Sequence, residues 1–166
     1  MAGHEGSGRD PALSDGTAFR RATTAEASAV RDFTRRAYAR WVPVLGREPK
    51  PMTADYDAAL RHHRIDLLTV DGVWAGLIQT VPAEGHLLVE NVAVDPDLQG
   101  RGLGRRLMAH AEALAAGQGL NEIRLYTNAL MGTNIRLYAA LGYGVDRTEQ
   151  KPDGRTVVQM SKRLTR

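Results

Sequence analysis

The chain of 166 residues contains no cysteine. Disulfide bonds, thiolate-ligated metals and covalent catalysis through a cysteine are therefore excluded. No apolar run approaches the ~20 residues that a membrane-spanning helix needs, and the polar N-terminus does not resemble a secretory signal. The sequence thus predicts a cytoplasmic protein with no membrane partner.

A strong charge bias is also missing, since 22 lysine and arginine residues stand against 19 aspartate and glutamate residues, a net charge of +3. Arg31, Arg35 and Arg36 fall on one predicted helix, but a solvated helix face explains them more simply than nucleic acid does. His62 and His63 would point about 100° apart on a helix, with no third ligand nearby. We therefore predict no nucleic-acid partner and no metal.

Length and a hydrophobic content of 43% suit one globular domain. Residues 1–16 show no periodic apolar pattern, so they are predicted to be a mobile tail, with a single domain over 17–166. Hydrophobic periodicity predicts the order β α α β β β α β α β β. The strands are expected near 17–22, 65–70, 73–81, 86–94, 122–127, 143–150 and 156–162, and the helices near 25–41, 53–63, 103–117 and 134–141. The proline-rich segment 41–52 is expected to be a loop with apolar side chains.

The stretch from Leu87 to Ala116 passes from a strand through a glycine-spaced turn into a helix. Its turn reads Gln99-Gly100-Arg101-Gly102-Leu103-Gly104, so several backbone amides are unshielded at a helix N-terminus. The helix dipole and the arginines there favour a bound anion, such as a pyrophosphate. A nucleoside-triphosphate loop would need a following Lys and hydroxyl pair, and a dinucleotide fingerprint would place its third glycine at Arg105. Neither of these two alternatives fits.

The turn resembles the acyl-coenzyme A loop of the GNAT superfamily of N-acetyltransferases: Gln or Arg, two residues, Gly, one residue, then Gly or Ala. Gln99, Gly102 and Gly104 fill this pattern. A second resemblance lies at Asn134-Ile135-Arg136-Leu137-Tyr138, followed by Leu141-Gly142-Tyr143. The resemblance covers about residues 17 to 162. It implies an α/β (α+β) fold with a mixed, mostly antiparallel sheet of six to seven strands, flanked by about four helices and splayed between the fourth and fifth strands.

The resemblance further implies an enzyme that moves an acetyl group from acetyl-coenzyme A to a primary amine, by direct attack in a ternary complex. The turn would hold the pyrophosphate, and the strand before it would pair by its backbone with the pantetheine arm. The implied coenzyme contacts are Val92, Ala93, Val94, Gln99, Gly100, Arg101, Gly102, Leu103, Gly104, Arg105 and Asn134.

Two residues are candidates for the proton transfers. Glu90 is the candidate general base, because in a regular strand it would share a face with Val92 and Val94. The resemblance aligns Tyr138 with the tyrosine that donates a proton to the leaving thiolate. The alternatives are that Glu90 is a solvent-facing carboxylate or an arginine partner, and that Tyr138 is a core aromatic residue with a hydrogen-bonded hydroxyl.

The acceptor pocket is expected at the end of the first helix and in the loop after it. The candidate residues are Tyr38, Trp41, Val44, Leu45 and Tyr56. This aromatic and aliphatic set with few charges favours a partly apolar amine, on a small molecule or a peptide, over a polycation. The resemblance leaves room for a homodimer. It also leaves two alternatives open: a non-catalytic acyl-coenzyme A sensor of the same fold, and an acyltransferase with another acceptor or acyl group.

Overall fold

The computed structural model describes residues 16–165, so the predicted tail lies outside the described residues except for Gly16. The strands are β1 (Thr17–Arg21), β2 (Arg64–Val70), β3 (Val73–Ala83), β4 (His86–Val94), β5 (Glu122–Asn128), β6 (Gly144–Gln150) and β7 (Thr156–Arg163). The helices are α1 (Ala27–Tyr38), α2 (Val42–Leu45), α3 (Lys50–Thr53), α4 (Tyr56–His62), α5 (Leu103–Gly117) and α6 (Gly132–Ala140). Among the helices described, none has the length and apolarity to cross a membrane.

The seven strands form one sheet in the order β1-β2-β3-β4-β5-β7-β6. Neighbouring strands are antiparallel except for β4 and β5, which are parallel. This arrangement confirms the predicted mixed, mostly antiparallel sheet. Between the strands that were expected near 65–70 and 73–81, β2 and β3 form a hairpin, with Asp71 at φ 49° and Gly72 at φ 82° in its two-residue turn.

Strands β4 and β5 pair over only three positions, which end at Val89 and Leu125. Beyond these residues β4 continues to Val94 against β3, while β5 continues to Asn128 against β7. The two strands therefore part in the middle of the sheet, as predicted. We call the gap between them the fork.

A bulge interrupts β4 at the fork. Thr80 of β3 pairs with Val89, but the next residue of β3 toward its N-terminus, Gln79, pairs with Asn91. Glu90 is therefore an extra residue in β4 that has no pairing partner in β3. Such a bulge turns the side chains on either side of it out of simple alternation.

The bulge corrects the expected placement of Glu90. Before it, Leu87 and Val89 point into the core beneath α5, and after it Val92 and Val94 pack against that same core. Odd-numbered residues before the bulge and even-numbered residues after it thus share one face of the sheet, which a regular strand does not allow. Glu90 is the unpaired residue of the bulge, so the regular alternation that would place it on the face of Val92 and Val94 does not apply to it.

Helices cover both faces of the sheet and create two apolar cores. The helix α5 packs on one face, where Leu107 is fully buried. The helices α1 and α4 pack on the other face, where Val30 and Leu60 meet Leu67 and Leu77. The fork opens between the arm that carries these helices and the arm made of β5, β6 and β7.

The segment that was expected to be a loop contains two one-turn helices, α2 and α3. Pro43 and Pro51 occupy first-turn positions, where a missing backbone N–H costs nothing, and Gly46 ends α2 in the left-handed conformation at φ 72°. The helix α1 is shorter than the predicted 25–41, because single 3-10 turns replace both of its ends, at Thr24–Glu26 and Ala39–Trp41.

Candidate active site

The glycine turn connects the outer end of β4 to α5. Gly100 and Gly102 have φ values of 81° and 79°, which side chains rarely tolerate. The first N–H that bonds back to the turn belongs to Arg106 and donates to the Gly102 carbonyl oxygen at 3.2 Å. The amides of the preceding helical turn have no intrahelical partner and remain available to an anion.

The same turn shows how the predicted coenzyme residues differ in their surroundings. A Cβ atom at Gly104 would lie 3.1 Å from Leu137 Cδ2, so this glycine permits close packing of α5 on α6. Arg101 and Arg105 are exposed, whereas Leu103 is buried in the core and can offer a ligand only its backbone. The result is a cradle of amides and cations that fits a pyrophosphate.

The backbone of β4 offers alternate residues to the fork. The Asp95 N–H donates to the Ala75 carbonyl of β3, and by antiparallel alternation Ala93 also directs its backbone to β3. Val92 and Val94 direct theirs into the fork, where their carbonyls accept from Tyr38 and Gln99. The predicted backbone contact with a ligand thus narrows to Val92 and Val94.

A cavity of about 880 Å³ lies at the fork. Its wall includes Glu90 and Tyr138, and also Asn134 one turn before Tyr138 on α6. Both candidate catalytic residues, which are 48 positions apart in the sequence, therefore lie on the wall of one cavity.

A chain of hydrogen bonds supports the bulge beside this cavity. The Tyr38 hydroxyl lies 2.9 Å from both Asn91 Oδ1 and the Val92 carbonyl oxygen. Asn91 Nδ2 donates to the Tyr56 hydroxyl at 3.2 Å, and that hydroxyl donates to the Pro51 carbonyl oxygen at 2.6 Å. These contacts tie α1, the segment before α4 and the strand β4 together, so they hold the bulge and with it Glu90.

The candidate acid and base differ in their surroundings. Burial raises the pKa of Tyr138 to about 12, and no protein group within residues 16–165 hydrogen-bonds its hydroxyl. Burial also raises the pKa of Tyr56 to about 12, with a smaller contribution from the Glu90 carboxylate. Glu90 is exposed at the cavity and has no ion-pair partner in the described part of the chain. An arginine partner for Glu90 and a bonded hydroxyl for Tyr138 are therefore not seen.

The expected acceptor residues divide into two groups. Tyr38, Leu45 and Tyr56 line the cavity, but Trp41 and Val44 do not. The Trp41 ring lies beneath the Arg40 guanidinium, 4.6 Å from its carbon to the ring centroid, and Val44 is 50% exposed. The turns that replace the expected loop direct these two side chains elsewhere, which corrects their assignment to the pocket.

The cavity is also more charged than the sequence predicted. Besides Glu90, its charged lining residues are Arg47, Glu48, Lys50, Asp55, Lys151, Asp153 and Arg155. Several are paired: Arg47 donates to the Asp153 carbonyl oxygen at 2.7 Å, and Glu48 accepts two bonds from Arg35. Residues 151–155 form the β6–β7 turn, which lies about 100 residues along the chain from the segment that it meets.

Histidines also reach the cavity. His62 and His63 both line it, and Gln79 Nε2 lies 3.0 Å from His63 Nδ1. Over residues 16–165 no three metal-ligating side chains come together.

Two curated relatives match part of the chain. An N-alpha-acetyltransferase 80 from Mus musculus is 46% identical over 69 residues, which are 42% of this chain and 21% of the relative. A [ribosomal protein bS18]-alanine N-acetyltransferase from Salmonella typhimurium is 36% identical over 76 residues, which are 46% of this chain and 51% of the relative. The chain thus spans between about a fifth and about half of the length of these relatives.

A solved structure shares the fold at low identity. It is the PaiA N-acetyltransferase from Thermoplasma acidophilum in complex with coenzyme A, with a TM-score of 0.73 and 14% identity, covering 89% of this chain and 99% of that one. The family model described as the acetyltransferase (GNAT) family matches residues 28–143, which include the fork, the glycine cradle and both candidate catalytic residues. Because this match takes in well over half of the chain, the protein belongs to the GNAT family of acetyltransferases.

Proposed function

We propose that this protein is an acetyl-coenzyme A-dependent N-acetyltransferase that acts on a primary amine in a ternary complex, in the cytoplasm. One observation carries the proposal: Glu90 and Tyr138 line a single cavity at the fork, and the glycine cradle lies at the outer end of the same strand. Family membership supports the reaction type.

The donor side of the proposal uses the cradle and the strand β4. The amides of residues 100 to 105 would hold the pyrophosphate, with Arg101 and Arg105 at the exposed rim. Val92 and Val94 would offer backbone groups to the pantetheine arm, and Asn134 would contact the arm from α6. When bound, acetyl-coenzyme A supplies an acyl thioester, which an amine can attack directly.

The proton transfers fall to Glu90 and Tyr138. Glu90 would accept the proton of the attacking amine, because it is a carboxylate at the cavity and no cation among residues 16–165 pairs with it. Tyr138 would donate a proton to the departing thiolate, because its hydroxyl is protonated and accepts or donates no hydrogen bond within residues 16–165. The absence of cysteine removes the usual thiol route to an acyl-enzyme, which favours direct transfer.

The acceptor side lies between α4, the α2–α3 segment and the β6–β7 turn. Its lining carries charges of both signs, which suits a polar amine better than the partly apolar amine expected from the sequence. The relatives are named for acetylation of a protein alanine and of α-amines. Peptide α-amines are therefore the first class of acceptor that we propose to test.

Thiol release provides the test. The chain itself has no thiol, so a thiol-reactive dye would report only the coenzyme A that is set free. We propose to incubate the protein with acetyl-coenzyme A and, in turn, peptides with free N-termini, amino acids, polyamines and aminoglycosides. Release that depends on one of these amines, together with mass spectrometry of the acetylated product, would support the proposal.

The same assay addresses the sensor alternative. A sensor module would bind acetyl-coenzyme A in calorimetry but would release no thiol with any amine. Glu90 and the Tyr138 hydroxyl face the cavity with no ion-pair or hydrogen-bond partner from the described residues, which argues against that alternative. Failure to bind acetyl-coenzyme A at all would contradict both functions.

A further inference from the structure

Arg40 lies at the mouth of the fork, although it belongs to neither of the motifs that the sequence revealed. It is the middle residue of the 3-10 turn Ala39–Trp41. Its Nη1 donates to Gln99 Oε1 at 2.6 Å, and its Nη2 lies 3.2 Å from Thr133 Oγ1. Gln99 is the first residue of the glycine turn, and Thr133 lies in the first turn of α6. Arg40 therefore spans the fork at the end where the cradle lies.

No carboxylate in the described part of the chain neutralises the charge of Arg40. Both of its hydrogen-bond partners are neutral oxygens, and no carboxylate among residues 16–165 forms an ion pair with it. A guanidinium has five N–H donors, of which these contacts use two. Arg40 thus retains both its charge and unused donors beside a set of free backbone amides.

The position of this guanidinium is held from a second side. Its carbon lies 4.6 Å from the centroid of the Trp41 ring, a distance typical of a cation–π contact. A cation that is already held in place loses little conformational freedom when it binds an anion. This contact also gives Trp41 a role beside the donor site, in place of the acceptor role expected from the sequence.

Arg36 provides a natural comparison. It lies four residues earlier on α1 and also reaches toward the end of β4, but it pairs with Asp95. Its charge is thereby neutralised, whereas that of Arg40 is available. The two arginines therefore differ in one respect: the guanidinium of Arg36 is paired with a carboxylate, and that of Arg40 contacts only neutral oxygens.

We propose that Arg40 is a binding residue for the pyrophosphate of the coenzyme, which it contacts in addition to the amides of the glycine turn. A planar guanidinium can form two parallel hydrogen bonds to phosphate oxygens, and such charge-assisted bonds are stronger than neutral ones. The inference rests on the proposed function, since it assumes that coenzyme A occupies the cradle. It adds a cation from outside the glycine turn to the set of donor-binding groups.

Binding measurements on three ligands test the proposal. Calorimetry would compare coenzyme A, dephospho-coenzyme A and pantetheine on the wild type, Arg40→Gln, Arg40→Lys and the control Arg36→Gln. We expect Arg40→Gln to raise the Kd for coenzyme A and for dephospho-coenzyme A by about tenfold or more, which is the usual effect of losing a charged hydrogen bond. Pantetheine has no pyrophosphate, so its affinity should not change. Arg40→Lys should retain more affinity for coenzyme A than Arg40→Gln, and Arg36→Gln should resemble the wild type.

Other results would overturn the proposal. Unchanged coenzyme A affinity in Arg40→Gln would show that the guanidinium does not reach the phosphates. An equal loss for pantetheine, or a lowered melting temperature with loss of all three ligands, would make Arg40 a structural link between the turn and α6. A defect confined to coenzyme A and absent with dephospho-coenzyme A would place Arg40 at the 3′-phosphate instead. Wild-type protein that binds no coenzyme A would refute the proposed function itself, a result distinct from these.

Discussion

The Tyr38 hydroxyl donates a hydrogen bond to the Val92 carbonyl oxygen, 2.9 Å away, on the side of β4 that faces the fork. The hydroxyl thus approaches a backbone group that we propose for the pantetheine arm. Burial raises the pKa of Tyr38 above its usual value, so the hydroxyl keeps its proton and remains a donor. A ligand amide that bonded Val92 would have to share this carbonyl or displace the tyrosine.

Tyr38→Phe is therefore expected to destabilise the free protein and to increase the stabilisation that bound coenzyme A provides. Without the hydroxyl, the Val92 carbonyl has lost this donor until a ligand provides another one. The lost hydrogen bond should lower the free energy of unfolding of the free protein by about 1 kcal/mol. Coenzyme A should then raise the melting temperature of Tyr38→Phe by about 2–4 °C more than it raises that of the wild type. Thermal unfolding with and without saturating coenzyme A measures this difference.

Tyr56→Phe serves as the matched control for that experiment. Its hydroxyl bonds Asn91 and the Pro51 carbonyl, so its removal also disturbs the hydrogen-bond chain but leaves Val92 unaffected. The coenzyme-induced shift of Tyr56→Phe should equal that of the wild type. A shift in Tyr38→Phe no larger than in this control would mean that Val92 does not bind the coenzyme.

Glu90→Gln tests the proposed base. The substitution keeps the size of the side chain and removes its ability to accept a proton, so kcat should fall about 10²-fold or more while the Kd for acetyl-coenzyme A stays the same. Asp97→Asn, which removes an exposed carboxylate just beyond the C-terminal end of β4, is the control and should leave kcat unchanged. Steady-state kinetics under conditions where chemistry limits the rate would decide, and equal kcat values for Glu90→Gln and wild type would exclude Glu90 as the base.

Gly104 allows steric and electrostatic effects at the cradle to be separated. Gly104→Ala places a methyl group 3.1 Å from Leu137 Cδ2, which a small shift of α6 can accommodate. Gly104→Asp adds a negative charge where we propose that a phosphate binds, so calorimetry should show a loss of coenzyme A affinity at least tenfold greater than in Gly104→Ala. If the two variants bind coenzyme A equally, the anion lies elsewhere.

Much of the fold could be predicted because its signals are local. The Asp71-Gly72 turn, the glycines of the cradle and the alternation in β5 each require particular residue types at fixed spacing. The parting of β4 and β5 followed from the order of the elements and the family resemblance, but its position at Val89 was not predicted. These features depend on short stretches that a sequence displays directly.

The features that could not be predicted depend on contacts between distant segments. The bulge at Glu90 is a feature of how β4 pairs with β3, and the sequence of β4 alone shows no sign of it. The link from Arg47 to the Asp153 carbonyl joins residues 106 positions apart. Likewise, the position of Arg40 depends on Gln99 and Thr133 together. The acceptor cavity was therefore predicted less well than the donor cradle.

Tyr138→Phe examines the proposed acid, with Tyr143→Phe as its control. The rings of Tyr138 and Tyr143 meet edge to face with centroids 6.2 Å apart, but only Tyr138 lines the cavity. Removal of the Tyr138 hydroxyl should lower kcat about 10²-fold and leave the Kd for acetyl-coenzyme A unchanged, because the ring that packs in the core remains. Tyr143→Phe should keep nearly the full kcat. Equal kcat values for Tyr138→Phe and wild type would assign Tyr138 to the core alone.

The pH dependence of the wild type gives a second, independent check on Tyr138. An ordinary phenol, with a pKa near ~10, would be about half deprotonated at pH 10, and a rate that needs its proton would fall accordingly. Burial raises the pKa of Tyr138 to about 12, so the acid form persists as the pH rises through 10 and is lost only at higher pH. We therefore expect the pH dependence of kcat between pH 8 and 10 to be the same in the wild type and in Tyr138→Phe. A descending limb in this range that disappears in the variant would show that the hydroxyl titrates as a solvent-exposed phenol does, contrary to its buried position on α6.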